Sequence, residues 1–347
     1  MPINNSDRKY MKRALALARG AWGMTAPNPM VGAVVVKDGK IVGEGFHHQA
    51  GTPHAEVHAL NAAQAAAQGG TIYVTLEPCS TFGRTPPCTE AIKKAKIKRV
   101  VCATEDFNPL HAGRGFKILQ EAGIEVKNGV CRTEARELNK AFFSHITRKT
   151  PYVLLKMAMT LDGKIATVSG DSKWITGAAA RSRVQELRRW CDAIMVGGET
   201  VRLDHPQLQV REPADWPCQP KKLIYTKMSS EQLRQEFFPG DENVRSVSPQ
   251  SREDWQLLLR KLGEENITAL LLEGGGELAA AALQAQVVDE VEFHIAPKLL
   301  TGRHSRPVVG GVDPQKLVEA LPLDKLNVKR AGCDLIISGK LLNKGIK

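Results

Sequence analysis

Apolar residues recur along the first half of the chain in blocks that predict alternating helices and strands. Met11, Leu15 and Ala18 fall on one face of an amphipathic helix expected over 7–22. Further helices are expected over 54–68, 88–96, 116–122 and 133–149, and strands over 31–36, 41–44, 71–76, 99–103 and 124–126. This alternation predicts an α/β layer fold.

The alternation resumes after a predicted linker at 147–151. Strands are expected over 152–157, 193–196, 222–226, 244–247 and 270–272, and helices over 178–190, 252–264 and 277–283. A chain of 347 residues is long for one ordinary domain. We therefore expect two domains, over 1–147 and 151–347.

Four residues of the first half carry the most specific chemistry. His54, Cys79 and Cys88 supply one imidazole and two thiolates, a zinc ligand set that leaves the fourth position open for water. With Glu56 two residues after the histidine and a proline before each cysteine, they match the signature of zinc nucleobase deaminases. Each feature alone would be ordinary, but the ordered set predicts a zinc centre.

The predicted roles follow from this chemistry. Zinc lowers the pKa of a coordinated water to roughly 7. Glu56 is expected to take the proton of that water and to pass it to the ring nitrogen and then to the leaving ammonia. Eight residues separate the two cysteines, whereas many cytidine-type deaminases have C-x-x-C. The extra loop, which contains Gly83, Arg84 and Thr85, is expected beside the substrate.

Composition narrows the class of protein. The chain is 42% hydrophobic, no run approaches 18 apolar residues, and the N-terminus is charged, so neither a spanning helix nor an export signal is expected. Its seven cysteines, an odd number, fit reduced thiols. These features favour a cytoplasmic protein without a membrane partner.

Charge is unevenly distributed between the two halves. Residues 1–150 hold 21 Lys and Arg against 12 Asp and Glu, whereas the remainder holds 27 against 25. A basic first half could attract RNA or a phosphorylated small molecule, and a solvated basic surface without a partner explains it equally well. The chain has no arginine-rich tract, and aromatics make up only 5% of it.

A strand, a glycine run and a helix start meet at 270–277. This order brings backbone N–H groups near phosphates. The glycines do not follow the G-x-G-x-x-G spacing of dinucleotide-binding folds. On its own the run is better explained as a tight turn.

Longer segments extend the evidence to nearly the whole chain. APNPMVGAVVV, AGTPHAEVHAL, PCSTFGRTPPC and DFNPLHAGRGF in the first half resemble the bifunctional riboflavin-biosynthesis deaminase/reductases. MAMTLDGKIA, SGDSKWITG, VGGETVRLDHPQLQVR and DEVEFHIAPKLLTG extend the resemblance through the second half, most weakly over 211–250. Phe107 stands where that family typically has proline.

The resemblance implies a fold and an activity. It implies a cytidine-deaminase-like three-layer α/β/α domain followed by a dihydrofolate-reductase-like α/β domain. The first would deaminate 2,5-diamino-6-(5-phosphoribosylamino)pyrimidin-4-one with zinc. The second would reduce the ribosyl group of the product with NADPH. It also implies a homo-oligomer, a dimer or tetramer, without a nucleic-acid partner.

Site residues are implied position by position. Asn28, His47 and Asn108 would bind the substrate in the first half. In the second half Ser172, Arg188, Leu208, Arg211 and Glu273 would bind it, the arginines suiting a phosphate. NADPH would contact Ala158, Trp174, Thr200, Asp204, Thr226, Gly275, Gly276, Glu277, Leu278, Ala279, Ala280 and Ala281.

Some alternatives stay open at the level of sequence. A tRNA adenosine deaminase with an appended binding domain would explain the basic first half. A zinc-stabilised binding module without activity would explain the ligand set. In the second half Asp204 is a candidate general acid, and a positioning role suits it equally. Arg202 is a candidate for holding the extra phosphate of NADPH.

Overall fold

The computed structural model describes residues 5–82, 86–108 and 112–342. Gly83, Arg84 and Thr85, expected beside the substrate, lie outside the described residues. The chain divides into two units, Met1–Lys149 and Thr150–Lys347.

The described residues of the first unit form one sheet with helices on both faces. The helices are α1 Asn5–Ala18, α2 Ala55–Ala63, α3 Cys88–Lys94, α4 Arg114–Glu121, α5 Arg132–Leu138 and α6 Lys140–Arg148, with short 3₁₀ turns at Arg19–Ala21 and Gln64–Ala67. The strands are β1 Gly32–Lys37, β2 Lys40–Phe46, β3 Thr71–Val74, β4 Arg99–Cys102 and β5 Glu125–Asn128, in the order β2-β1-β3-β4-β5.

Two hydrophobic clusters lie on opposite faces of this sheet, because successive strand residues point to opposite sides. Val35 and Ile72 pack with side chains of α2, α3 and α4. Val34 and Tyr73 pack with side chains of α1 and α5. The three-layer arrangement expected for the first half is therefore observed.

The sheet topology brings the predicted site residues of the first unit to one edge of the sheet. β3 and β4 are parallel, so the segments after them, which carry Cys79 and Asn108, leave the same edge. β1 runs antiparallel to β3 and begins at that edge, and the end of β2 at Phe46 pairs with Gly32. Asn28 and His47 therefore join the same edge, although both are distant from Cys79 in sequence.

Helix α2 packs unusually closely on β2. A Cβ atom at Gly43 would lie 2.2 Å from the Ala59 carbonyl oxygen, and one at Gly45 would lie 2.4 Å from His58 Cβ. Only glycine allows this approach of helix and strand. The small buried side chains of α2, such as Ala59, complete the contact and fix the helix that His54 precedes.

Two predicted helices are interrupted. The helix expected over 54–68 ends at Ala63 and is followed by a 3₁₀ turn that starts at Gln64, whose φ is 48°. A single helix was expected over 133–149, but the chain forms α5 and α6 with a break at Asn139, whose φ is −109°. The Asn139 side chain is 3% exposed and hydrogen-bonds to the backbone of Met30. A tertiary contact thus overrides the helical pattern.

Asp7, 1% exposed, ties α1 to the sheet. Its carboxylate accepts hydrogen bonds from Arg99 Nη1 at 2.9 Å, Lys127 Nζ at 3.0 Å and Tyr73 Oη at 3.0 Å. Burial would raise the pKa of Asp7, but these three donors lower it to about 2.

This carboxylate should make the stability of the first unit depend on acid pH. Because the folded-state pKa lies below the unfolded value of about 3.9, the stabilisation is complete above that value and is lost as the pH falls through about 2. Denaturant unfolding should show the stability gap between wild type and Asp7→Asn narrowing from about pH 4 to about pH 2. A gap that stays constant over this range would contradict the assignment.

The second unit is built on a larger sheet. Its helices are α7 Ala178–Trp190, α8 Gly198–Asp204, α9 Ser230–Glu236, α10 Arg252–Glu264 and α11 Gly276–Gln284, with a 3₁₀ turn at Leu317–Glu319. Its strands are β6 Tyr152–Thr160, β7 Lys164–Ala166, β8 Ala193–Gly197, β9 Lys221–Tyr225, β10 Val244–Val247, β11 Ala269–Glu273, β12 Glu290–Ala296, β13 Arg306–Pro307, β14 Leu323–Ala331 and β15 Asp334–Leu341.

Among the described residues, the strands of this sheet follow the order β10-β9-β8-β11-β6-β12-β15-β14, and β13 pairs with β7 separately. The six strands from β10 to β12 are parallel, whereas β15 and β14 are antiparallel additions. In such sheets ligands bind beyond the carboxyl ends of the parallel strands. No helix in the described part of the chain is long and apolar enough to cross a membrane.

Candidate active sites

The predicted zinc ligands converge in the first unit. His54 is the N-cap of α2, Cys88 is the first residue of α3, and Cys79 follows β3. His54 Nδ1 lies 3.2 Å from Cys88 Sγ and 3.5 Å from Cys79 Sγ. The three ligand atoms all lie within 4.8 Å of one another. The starts of two helices and the segment after one strand therefore bring one nitrogen and two sulfur atoms close together.

The chemistry of this donor set fits zinc. The hydrogen bond from Cys88 is the main cause that holds the pKa of Cys79 well below its ordinary value, and the partnership with His54 acts in the same direction. The backbone N–H of Cys88 also donates to Cys79 Sγ at 3.2 Å. A thiolate is the form of cysteine that binds metal. One imidazole and two thiolates leave a fourth tetrahedral position for water or substrate.

Glu56 lies in the first turn of α2, next to this cluster. It is 3% exposed, and burial, followed by the negative charge of Cys79, raises the pKa of its carboxyl to about 7. A carboxyl group with a pKa near the working pH both accepts and returns a proton readily. Glu56 therefore has the environment of a general acid and base.

Asn28 and His47 form a pair beside His54. His47 Nδ1 lies 3.1 Å from the Pro53 carbonyl oxygen, to which it donates, so Nε2 is left to accept from Asn28 Nδ2 at 3.1 Å. The His47 and His54 rings meet edge to face, with centroids 5.4 Å apart. Burial lowers the pKa of His47, which favours the neutral ring that this arrangement requires. The structure thus places both predicted substrate residues next to a predicted metal ligand.

Asn108 lies on a segment held by Glu77, a residue that the sequence reasoning missed. Glu77 is 4% exposed and accepts backbone hydrogen bonds from Asp106, Gly113 and Gly115 at 3.2, 3.0 and 2.9 Å. A Cβ atom at Gly115 would lie 2.3 Å from the Pro78 carbonyl oxygen, so α4 begins directly against the segment before Cys79. In the sequence, the acidic residue directly before Pro78–Cys79 is the feature that could have indicated this role.

In the second unit a cavity of about 630 Å³ opens at the carboxyl ends of the parallel strands. Its volume suits a cofactor or a drug-sized ligand. The predicted residues that line it are Ala158, Ser172, Thr200, Asp204, Glu273, Gly275, Gly276, Glu277 and Leu278. Ser172 Oγ donates to Asp204 Oδ1 at 3.2 Å.

Glycines keep the cavity wall open where strands turn into helices. Gly275 has a φ of 87°, and a Cβ there would lie 3.4 Å from Thr200 Oγ1. At Gly198 a Cβ would lie 2.8 Å from Thr226 Oγ1, so Thr226 touches the wall although it does not line the cavity. Bare backbone at a helix start suits the phosphates of a dinucleotide. These residues fit NADPH.

The other predicted residues lie outside the cavity lining. Trp174 is 67% exposed, with the Arg181 guanidinium 4.6 Å from its ring centroid. Leu208 is buried with a φ of 54°. Ala279 and Ala280 are buried in α11, Ala281 is partly buried, and Arg211 is exposed. Their roles stay predictions.

Arg188 does not line the cavity but contacts Glu273, which does. Its Nε and Nη2 donate to the two carboxylate oxygens of Glu273 at 3.0 and 3.1 Å. Burial would raise the pKa of Glu273, but the charges of Arg188 and Lys156 hold it below its ordinary value. In this structure the forked guanidinium holds a carboxylate of the cavity wall.

Lys156 is a second residue that the sequence reasoning missed. It lines the cavity, is 7% exposed, and lies on β6 between Glu273 of β11 and Glu292 of β12. Burial lowers its pKa. Glu292 has partners of its own, Arg183 Nη2 at 3.0 Å and His294 Nε2 at 2.9 Å. An isolated lysine within the apolar segment VLLKMAM was the signal.

Comparisons with known proteins match both domains. Residues 4–104 match the family described as the cytidine and deoxycytidylate deaminase zinc-binding region, and residues 151–337 match the RibD C-terminal domain. The riboflavin biosynthesis protein RibD of Aquifex aeolicus is 44% identical over 355 residues, covering 96% of this chain and 98% of the relative.

Two solved structures are similar over nearly the full length. Acinetobacter baumannii RibD, form 1, is 40% identical with a TM-score of 0.89, covering 97% of this chain and 99% of that one. The Thermotoga maritima diaminohydroxyphosphoribosylaminopyrimidine deaminase/5-amino-6-(5-phosphoribosylamino)uracil reductase is 35% identical with a TM-score of 0.86 and the same coverage.

These matches decide between the alternatives left open by the sequence. The match of residues 151–337 to a RibD domain disfavours a tRNA adenosine deaminase with an unrelated appended domain. The predicted order of a cytidine-deaminase-like and a dihydrofolate-reductase-like domain is confirmed. The chain belongs to the riboflavin biosynthesis protein RibD family.

Proposed function

We propose that this chain is a bifunctional enzyme of riboflavin biosynthesis. The domain over 1–147 removes the 2-amino group of 2,5-diamino-6-(5-phosphoribosylamino)pyrimidin-4-one by zinc-dependent hydrolysis. The domain over 151–347 then reduces the ribosyl group of the resulting uracil with NADPH. The observation that carries the proposal is the convergence of His54, Cys79 and Cys88 beside the buried Glu56.

In the deaminase domain the chain supplies ligands, a proton carrier and a substrate grip. His54, Cys79 and Cys88 hold zinc, which when bound supplies Lewis-acid activation of water. Glu56 takes one proton from the attacking water and delivers it to the ring nitrogen. It then carries the second proton, from the hydroxyl group of the adduct, to the amino group, which departs as ammonia. Asn28, oriented by its hydrogen bond to His47, and Asn108 hold the pyrimidine.

In the reductase domain the chain supplies orientation. NADPH, when bound, supplies the hydride that reduces the opened ribosyl carbon C1′. Thr200, Asp204 and the glycines at 275–276 hold the cofactor against the strand ends. Lys156 donates from the cavity wall to an oxygen of the substrate, in a desolvated place where a charge-assisted hydrogen bond is strong.

The direct test is to add the diaminopyrimidine nucleotide and NADPH to the full-length protein and to follow ammonia and NADPH absorbance together. We expect one NADPH oxidised for each ammonia released. With NADPH omitted, ammonia should still be released and the aminouracil nucleotide should accumulate. Absence of ammonia release from the zinc-loaded protein would refute the proposed function.

Replacing either predicted thiolate ligand should remove the metal. We expect Cys79→Ser and Cys88→Ser each to lower the zinc content per chain well below one and to abolish ammonia release, because serine is a poor zinc ligand. Elemental analysis after dialysis measures the metal. Cys102→Ser, which replaces a thiol of the same domain outside the cluster, is the control and should keep its zinc. Stoichiometric zinc in both ligand variants would remove them as ligands.

The partners follow from the same proposal. The ligands are small molecules, and neither nucleic acid nor membrane takes part. We place the protein in the cytoplasm as a homo-oligomer, a dimer or tetramer assembled through the reductase half. The exposed edge strand β14, with Leu326 at 63% and Val328 at 59% exposure, supports that choice of half. Light scattering on the full chain measures the oligomeric state.

A further inference from the structure

The two helices at the end of the first unit form an elbow, α5 and α6 joined at Asn139. Ala135 and Leu138 of α5 pack with α1 on one face of the sheet. Phe143 of α6 packs with α2, α3 and α4 on the other face. The chain therefore crosses from one layer to the other at Asn139, and this crossing explains why a single straight helix does not form.

At the crossing, Asn139 grips the segment that carries Asn28. Met30 N donates to Asn139 Oδ1 at 2.8 Å, and Asn139 Nδ2 donates to the Met30 carbonyl oxygen at 2.9 Å. Both bonds are buried. Because one amide satisfies the donor and the acceptor of the same residue, Met30 is fixed in position and in orientation. Asn28 lies two residues upstream and contacts His47 Nε2 at 3.1 Å.

The same elbow holds the segment that carries Asn108. The rings of Phe107 and Phe143 have centroids 5.0 Å apart, and the Arg136 guanidinium lies 4.7 Å from the Phe107 centroid. Arg136 also donates to Thr104 Oγ1 at 3.2 Å and to Glu105 Oε1 at 2.6 Å. Side chains of α5 and α6 thus enclose the residue directly before Asn108.

We propose that the α5–α6 elbow is the positioning element of the deaminase site, with Asn139 as the positioning residue for Asn28 and Phe107 for Asn108. The proposal rests on the deaminase function proposed above. The elbow sets substrate affinity because it holds two predicted substrate residues, which are far apart in the sequence of the domain, at one edge of the sheet. Neither Asn139 nor Phe107 carries a chemical step.

The test compares KM and kcat of ammonia release in full-length, zinc-loaded variants. In Asn139→Ala we expect KM for the diaminopyrimidine nucleotide to rise about tenfold or more, with kcat lowered less, because two buried hydrogen bonds that orient the Asn28 segment are lost. Phe107→Ala should raise KM in the same direction. Zinc content and the NADPH-dependent reduction of the aminouracil nucleotide should stay at wild-type levels and report intact folding.

Tyr73→Phe is the matched control. It removes a buried hydrogen bond of the same domain, from Tyr73 Oη to Asp7 Oδ1 at 3.0 Å, that involves neither the Asn28 nor the Asn108 segment. It should lower stability and leave KM unchanged. If Asn139→Ala and Phe107→Ala, with zinc and reductase activity intact, show the KM of Tyr73→Phe, the proposal is overturned. An active wild type in that experiment would leave the deaminase function standing.

Discussion

Glu56→Gln is expected to lower kcat for ammonia release by about 10³-fold, within the range that general acid and base catalysis contributes. The amide has nearly the shape of the carboxylate but neither takes the proton of the attacking water nor returns one to the departing amine. The side chain of Glu56 is 3% exposed and contributes none of the three ligand atoms of the cluster. The variant should therefore keep its zinc. Ammonia release and zinc content are measured on the same preparation.

Glu90→Gln is the matched control, because Glu90 is a carboxylate on α3 that pairs with Lys93 at the surface. It should retain wild-type activity. The reduction of the aminouracil nucleotide should be unchanged in both variants. A Glu56→Gln protein that released ammonia at the wild-type rate would end the proposed role of the carboxylate.

Lys156→Met is expected to lower kcat/KM of the reductase by about tenfold to a hundredfold, the size of a lost hydrogen bond to a charged donor. The fold should tolerate the change. Glu273 keeps its two bonds from Arg188, and Glu292 keeps Arg183 and His294, so neither carboxylate is left buried without a partner. NADPH oxidation with the aminouracil nucleotide measures the effect.

Lys221→Met is the control for this variant. Lys221 begins β9 in the same sheet, pairs with Glu265 at 3.0 Å and does not line the cavity. Its reductase activity should equal that of the wild type, and ammonia release should be normal in both lysine variants. Equal kcat/KM in Lys156→Met and Lys221→Met would show that Lys156 does not contact the substrate.

The metal cluster could be predicted because it consists of characteristic metal-binding residue types that lie close together in the sequence. His54, Glu56, Cys79 and Cys88 lie within one sequence segment. The predicted alternation of helices and strands places each of them near the start of a helix or after a strand. Asn28 and His47 came from the resemblance alone. Their contact depends on the antiparallel pairing of β1 with β2 and β3, which no local pattern specifies.

The missed features depend on contacts between distant residues. Helical periodicity over 133–149 gives no sign of the break at Asn139, because Met30 lies 109 residues away. Lys156 reads as an ordinary strand residue until the parallel register places Glu273 and Glu292 on either side of it. The strands after residue 289, which complete the second sheet, were not predicted from periodicity at all.

Arg188 shows that a residue predicted to bind phosphate can have a partner within the protein. Its fork was predicted to hold the substrate phosphate, yet the structure gives that fork to Glu273. Arg188 therefore fixes the orientation of a carboxylate that lines the cavity. Whether it also contacts a phosphate stays a prediction.

The measurement that tests the central claim most directly is X-ray absorption at the zinc edge of the full-length protein. We predict two sulfur neighbours at about 2.3 Å and nitrogen or oxygen neighbours at about 2.0 Å, as expected for Cys79, Cys88 and His54 with one open position. A zinc shell without sulfur, or one of four sulfurs, would contradict the account.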